Sequence, residues 1–265
     1  MKPYAGTQAP LRAVRLLKAF TVERPRRGLL ALAEAVGLNK TTAYRLLTAL
    51  ESEGMVERTD EGYGLGPELL ALGARALGGS ELRQASRPEL VALAAATRET
   101  ATLEVLVGRE ALILDEVAGT HRVGTMPSVG TRWPAHAAST GKAILAFLPE
   151  DQQAAFLRGR LAALTSRTIT EPRAFRRELA RVSGRGWSLN AEELEEGFVA
   201  VGAPIRSGDG RVTAAISVGG PRARLLPDRV AELARLVPAA AARISERLGA
   251  AKAPPPRTSN RKARA

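Results

Sequence analysis

One short stretch of the sequence carries polar groups whose types and spacing could do chemistry on a duplex. Between Asn39 and Leu50, a helical wheel gathers Ala43, Leu46, Leu47 and Leu50 on one face. Thr41, Thr42, Arg45 and Thr48 fall on the opposite face. A guanidinium can grip guanine O6 and N7 together, and a threonine methyl suits the thymine methyl. An ammonium suits a phosphate, which positions a protein without reading sequence. Lys40, Thr41, Thr42, Tyr44 and Arg45 are therefore the candidate groove contacts. Arg26 and Arg27, just upstream, would hold the backbone. The same face on an isolated helix would mean only a solvated surface, so the surrounding elements must decide.

Those elements read as a helix-turn-helix with a wing. Residues 11–20 place Leu11, Val14 and Leu17 at helical spacing before Pro25. A second helix spans Leu30 to Val36 and ends at Gly37, a residue suited to a left-handed cap. Asn39 is placed to cap the third helix, which runs to about Glu53. Residues 55–65 read as a hairpin turning at Thr59-Asp60-Glu61-Gly62. Its tip is acidic and would repel phosphate, so Arg58, beside it, is the wing's candidate DNA contact.

Other candidate chemistry fails on its own pattern. Ser139-Thr140-Gly141-Lys142 lacks the Gly five residues before Gly141 and the Ser or Thr after Lys142 that a phosphate loop needs. Ser217 lacks the first Gly of a nucleophile elbow, because Ala215 stands there. His136 lies near Ser139, but no acid is placed to orient the ring. Ser139 to Gly141 read instead as N–H donors at a helix start, able to seat a carboxylate. With no Cys and only two His, thiolate and multi-His metal sites are excluded. No catalytic residue, metal or cofactor is expected. Glu192, Glu193, Glu195 and Glu196 read as a solvated loop, and Trp133 and Trp187 as packing residues.

The chain of 265 residues carries a net charge of +12, unevenly placed. Residues 1–50 hold nine basic groups against two acids, whereas residues 81–248 hold 23 against 19. Arginine outnumbers lysine 33 to 6, a bias that looks genome-wide and weakens the total as an argument for nucleic acid. The last 17 residues hold five basic groups and no acid. No apolar run approaches the ~18 residues of a membrane span, so a soluble, cytoplasmic chain is expected. Four parts follow: a winged helix-turn-helix over 1–66, a linker helix over 67–79, an α+β domain over 80–248, and a disordered basic tail over 249–265. In the third part, a helix over 86–100 precedes strands at 102–107, 111–117 and 123–126, then helices at 139–148, 150–157 and 172–184. Strands at 186–189, 198–203 and 212–218 follow, then a helix from Pro227 to about Leu248, kinked at Pro238.

The stretch LALAEAVGLNKTTAYRLLTALESEGMVERTDEGYGLGPELLALG resembles the DNA-binding half of the IclR family of bacterial transcriptional regulators. WPAHAASTGKAILAFLPE, LTSRTITEP, GWSLNAEELEEGFVAVGAPI and AAISVGGPRARL resemble, in order, landmarks of that family's effector-binding domain. The resemblance implies a GAF-like C-terminal domain, a homodimer or dimer of dimers, and double-stranded operator DNA and a small-molecule effector as partners, with no membrane. It places the effector pocket at Asn190, Ala200, Ser217 and Gly219, with Phe198 as an aromatic wall. Asn190 stands where the family usually has an acid, Ala200 where it commonly has Cys, and Gly219 where it has a second Ser. Met126 and Val129 match the loop that closes the pocket in relatives. The expected function is a ligand-responsive regulator sensing a small organic-acid or aromatic metabolite and binding a pseudo-palindromic operator. An enzyme on the C-terminal domain with secondary DNA binding is one rival; an architectural DNA protein without a ligand is another.

Overall fold

The computed structural model describes residues 7–21, 23–121, 129–226 and 228–251. They form two compact units, divided between Gly79 and Ser80. The predicted strand at 123–126, Met126 and the tail from Lys252 onward lie outside the described residues.

The first unit contains α1 (Gln8–Lys18), β1 (Arg26–Arg27), α2 (Leu29–Val36), α3 (Lys40–Ser52), β2 (Val56–Thr59), β3 (Gly62–Leu65) and α4 (Pro67–Gly78). Gly37 ends α2 at φ 68°, where a side chain would be strained. The Asn39 side chain then accepts a 2.8 Å hydrogen bond from the Thr42 N–H and starts α3. The apolar stripe of α3 packs Leu47 against Leu16, Phe20, Leu32, Val56 and Tyr63, with Leu46 and Leu50 at its edge. Full burial of Leu47 stabilises the unit by roughly 1.5–3 kcal/mol. The unpredicted strand β1 pairs Arg26 with Gly64 and Arg27 with Tyr63, making a three-stranded sheet in the order β1-β3-β2. Helix α4 buries no residue and leaves Leu70 78% exposed.

The second unit begins with α5 (Glu81–Thr97), five residues before the predicted start. The Ser80 side chain caps it, accepting from the Arg83 N–H. Arg98, in the left-handed region at φ 63°, ends it, so that Thr100 opens a strand instead of closing a helix. Next come β4 (Thr100–Val107), β5 (Glu110–Val117), β6 (Arg132–Pro134), α6 (Ser139–Leu145), α7 (Glu150–Leu157), α8 (Pro172–Arg185), β7 (Ser188–Ala191), β8 (Phe198–Arg206), β9 (Val212–Pro221), α9 (Arg222–Leu225) and α10 (Val230–Arg247). Helix α10 runs through Pro238.

The strands form a six-stranded sheet in the order β6-β5-β4-β9-β8-β7, with every pair antiparallel. Helices α5 and α10 cover one face, burying Leu90 and Leu93 with Leu233, Val237 and Ile244 against Leu103, Val201 and Ile216. Helix α6 crosses the opposite face over β8, β9 and β4. It packs outward with α8 around Phe156, Phe175 and Leu179. Helix, sheet and helix layers make this unit α+β.

Candidate functional site

The outer face of α3 is open within its unit. Lys40, Thr41, Tyr44, Arg45 and Thr48 are exposed, and Tyr44 shows 47% of its surface. Thr42 is half-buried. Neither Lys40 nor Arg45 makes an ion pair among the described residues, so both charges are available. The two upstream arginines are engaged differently. Arg27 donates to the carbonyls of Ala19 and Ala31, at 2.9 and 3.1 Å, and so stitches α1 to α2. Arg26 pairs with Glu57 at 2.7 Å. Arg58 is exposed and lies 5.8 Å over the Tyr63 ring, which leaves its charge at the surface of the wing.

In the second unit, strand alternation sorts side chains between two environments. Ala101 and Leu103 on β4, Val199 and Val201 on β8, and Ile216 and Val218 on β9 face the α5 and α10 layer. Their neighbours Thr100, Thr102 and Glu104, then Phe198 and Ala200, then Ser217 and Gly219, line a cavity of about 510 Å³ on the other face. That volume suits a small ligand. Cross-strand register sets its floor. Thr102 stands opposite Ser217, and their hydroxyls lie 2.8 Å apart. Asn190, Ala200, Gly219 and Thr100 form a second row across β7, β8, β9 and β4. A side chain at Gly219 would put its Cβ 2.7 Å from the Phe198 ring, so glycine there gives that ring its place.

The remaining walls are Thr131, Trp133, Ala138, Ser139, Thr140, Leu194, Glu195, Glu196, Gly197 and Pro221. Of the residues the sequence proposes for the pocket, Ser139, Asn190, Phe198, Ala200, Ser217 and Gly219 meet at this one cavity. Two do not. Gly141 is not part of the lining, and it packs so closely on Ala135 that a Cβ would collide with the Ala135 carbonyl. Val129 is 45% exposed and is not part of the lining.

Only half of the acid run is the solvated loop that the sequence suggests, because Glu195 and Glu196 alone are exposed. Glu192 and Glu193 are buried. Glu192, at φ 64°, accepts from the Gly197 N–H and pairs with Arg167 and Arg222 at 3.2 and 3.3 Å. Glu193 meets the ammonium of Lys142, which is wholly buried and also donates to the Leu189 carbonyl. Burial pushes the Glu193 carboxyl up, and Lys142 pulls it back only in part. These bonds fix the backbone that presents Leu194 to Gly197 to the cavity. Trp133 is likewise a wall of the cavity instead of simple packing.

Glu104 is the residue the sequence reading passed over. It is 4% exposed, and it accepts from the Thr140 hydroxyl at 2.6 Å and the Thr102 hydroxyl at 2.9 Å. Burial holds its carboxyl above the usual 4.5, more strongly than those two hydrogen bonds pull it down. The signal was present in Thr102-Leu103-Glu104, where polar residues alternate with a core leucine inside a buried strand.

The shift makes a pH prediction. With its folded pKa above the unfolded value, Glu104 keeps its proton longer in the native state. Stability is therefore lost as pH rises from 4.5 through the folded pKa. Glu104→Gln, which cannot ionise, should gain stability relative to wild type across that window, read as urea midpoints at a series of pH values. Parallel profiles for the two proteins would contradict it.

His136 does not serve Ser139. Its Nε2 donates to the Ala162 carbonyl at 2.9 Å, its ring meets Phe175 edge-on, and burial pulls its pKa down. No group of three or more His, Cys, Asp or Glu among the described residues could hold a metal ion. No described helix is long and apolar enough to cross a membrane.

Comparison with known proteins agrees with this arrangement. Residues 9–60 match the IclR helix-turn-helix domain, and residues 74–246 match the bacterial transcriptional regulator IclR C-terminal domain. The glycerol operon regulatory protein of Streptomyces griseus is 37% identical over 243 residues, spanning 90% of this chain and 95% of that one. An IclR transcriptional regulator from Alicyclobacillus acidocaldarius superposes with a TM-score of 0.83 at 28% identity, over 91% of this chain and 98% of its own. An IclR homologue from Microbacterium hydrocarbonoxydans, complexed with 4-hydroxybenzoate, gives a TM-score of 0.78 at 30% identity, over 91% and 99%. The chain belongs to the IclR family of bacterial transcriptional regulators.

Proposed function

We propose that the chain is a cytoplasmic regulator that docks α3 in the major groove and changes its DNA affinity when a small metabolite fills the 510 Å³ cavity. The observation that carries this reading is the convergence of six sequence-proposed residues on that cavity. Of the two ligand chemistries the sequence leaves open, Trp133, Phe198 and Leu194 favour apolar or aromatic surface. The 4-hydroxybenzoate complex of a relative is consistent with a ligand of that size. A ligand shifts DNA affinity only through its differential affinity for DNA-competent and incompetent states.

Lys40, Thr41, Thr42, Tyr44 and Arg45 make the groove contacts in this reading, and the chain acts as a homodimer or dimer of dimers. Exposed Leu70 and Leu72 on α4 are where we place part of the contact between copies. Two copies of α3 would then read half-sites about 34 Å apart, so the operator is pseudo-palindromic. Arg58 carries the wing's phosphate contact, and Arg58→Ala should reduce the salt slope of binding by about one phosphate. An unchanged slope would remove Arg58 from the interface.

The cavity binds its ligand and returns it unaltered. To test the whole reading, DNA affinity of the full chain is measured with and without a cell metabolite extract, and the bound compound is recovered for mass spectrometry. A ligand-dependent change, with the compound intact, supports regulation. A chemically altered compound supports the enzyme, and salt-sensitive binding with no preferred sequence supports an architectural protein.

A further inference from the structure

Resting on the reading of the cavity as the effector site, we propose that its ligand is a small organic cation, an amine, whose charged end meets Glu104 and whose other end offers an acceptor to Asn190. Glu104 is the buried acid of the lining, Glu195 and Glu196 are exposed at its edge, and no Lys, Arg or His lines it among the described residues. Glu104 lies at the floor with two hydroxyl donors and no described cation to pair with it. A buried carboxylate without a counter-ion carries its charge at a cost, and an ammonium beside it offsets that cost.

Trp133 and Phe198 add two aromatic rings to the same walls, and a ring face attracts an ammonium. An anionic ligand would set its charge near Glu104 with no described basic side chain in the lining to offset it. Asn190 is a separate pointer to a ligand. It is fully buried, and its Oδ1 already accepts from the Glu193 N–H at 2.8 Å and the Leu194 N–H at 3.4 Å. Its Nδ2 has no partner, and the residue lines the cavity, so a donor waits there for a ligand acceptor.

Matched pairs on one carbon skeleton test the charge directly: benzylamine against benzoate, and cyclohexylamine against cyclohexanecarboxylate. Each is titrated calorimetrically into the full wild-type chain, Glu104→Gln and Ala200→Trp, the last of which fills the cavity. The amines should bind wild type more tightly than their carboxylates and lose about tenfold or more in affinity on Glu104→Gln. They should lose binding altogether on Ala200→Trp. Carboxylates that bind wild type but not Ala200→Trp would overturn the cation and keep the cavity as the effector seat. Amine affinity unchanged in Glu104→Gln, or silence from all four probes, also overturns it. The cavity reading itself fails only if Ala200→Trp leaves the DNA response to a metabolite extract intact.

Discussion

Lys142→Met is expected to destabilise the second unit by about 3–5 kcal/mol, the cost of breaking a buried ion pair from one side. Lys142 is 0% exposed, and its ammonium touches the Glu193 carboxylate and the Leu189 carbonyl, with Glu178 3.8 Å away. Methionine keeps most of the length and volume, so the loss isolates the charge and its hydrogen bonds. Glu178 retains Arg181 at 2.8 Å and Arg185 at 3.5 Å, whereas Glu193 is left without an ammonium. Glu193 is already pushed toward its protonated form by burial. It can relieve the variant by taking a proton, so the destabilisation should shrink as pH falls. Adding Glu193→Gln should recover part of the loss at neutral pH. Urea unfolding of the single and double variants measures this. A single-variant loss within about 0.5 kcal/mol, typical of surface changes, would show that the pair contributes nothing.

Arg45→Ala should leave the melting temperature unchanged and remove sequence preference in DNA binding. Arg45 is exposed and has no ion pair to lose among the described residues. A bidentate guanidinium on guanine contributes about 1–3 kcal/mol of discrimination, which is roughly fivefold to over a hundredfold per half-site. Binding of the selected duplex should fall toward that of an unrelated one, measured by anisotropy at fixed salt. If both duplexes weaken equally and the salt slope drops, Arg45 contacts phosphate instead.

The winged helix was legible because its signals are local. Gly37, Asn39 and the leucines at 46, 47 and 50 each specify a cap or a face within a few residues. Strand β1 was not, because two arginines show no alternation and pair only once β3 is in place. Strand β6, at three residues, is equally silent in sequence. The cavity divides the same way. Ser217 and Asn190 came through the family pattern, but Glu104 becomes a floor residue only through the register of β4 with β9 and the passage of α6 overhead. The burial of Glu193 could not be read at all, since its partner Lys142 lies 51 residues earlier. A run of acids signals solvent until the chain supplies a buried cation.

The most direct test replaces Tyr44, on the open face of α3, with a photoreactive benzophenone residue and cross-links the full chain to the duplex it selects. Cross-links to bases in the major groove of each half-site are the predicted result. Tight, sequence-selective binding with no cross-link from position 44 or from Thr41 would place the duplex elsewhere on the protein.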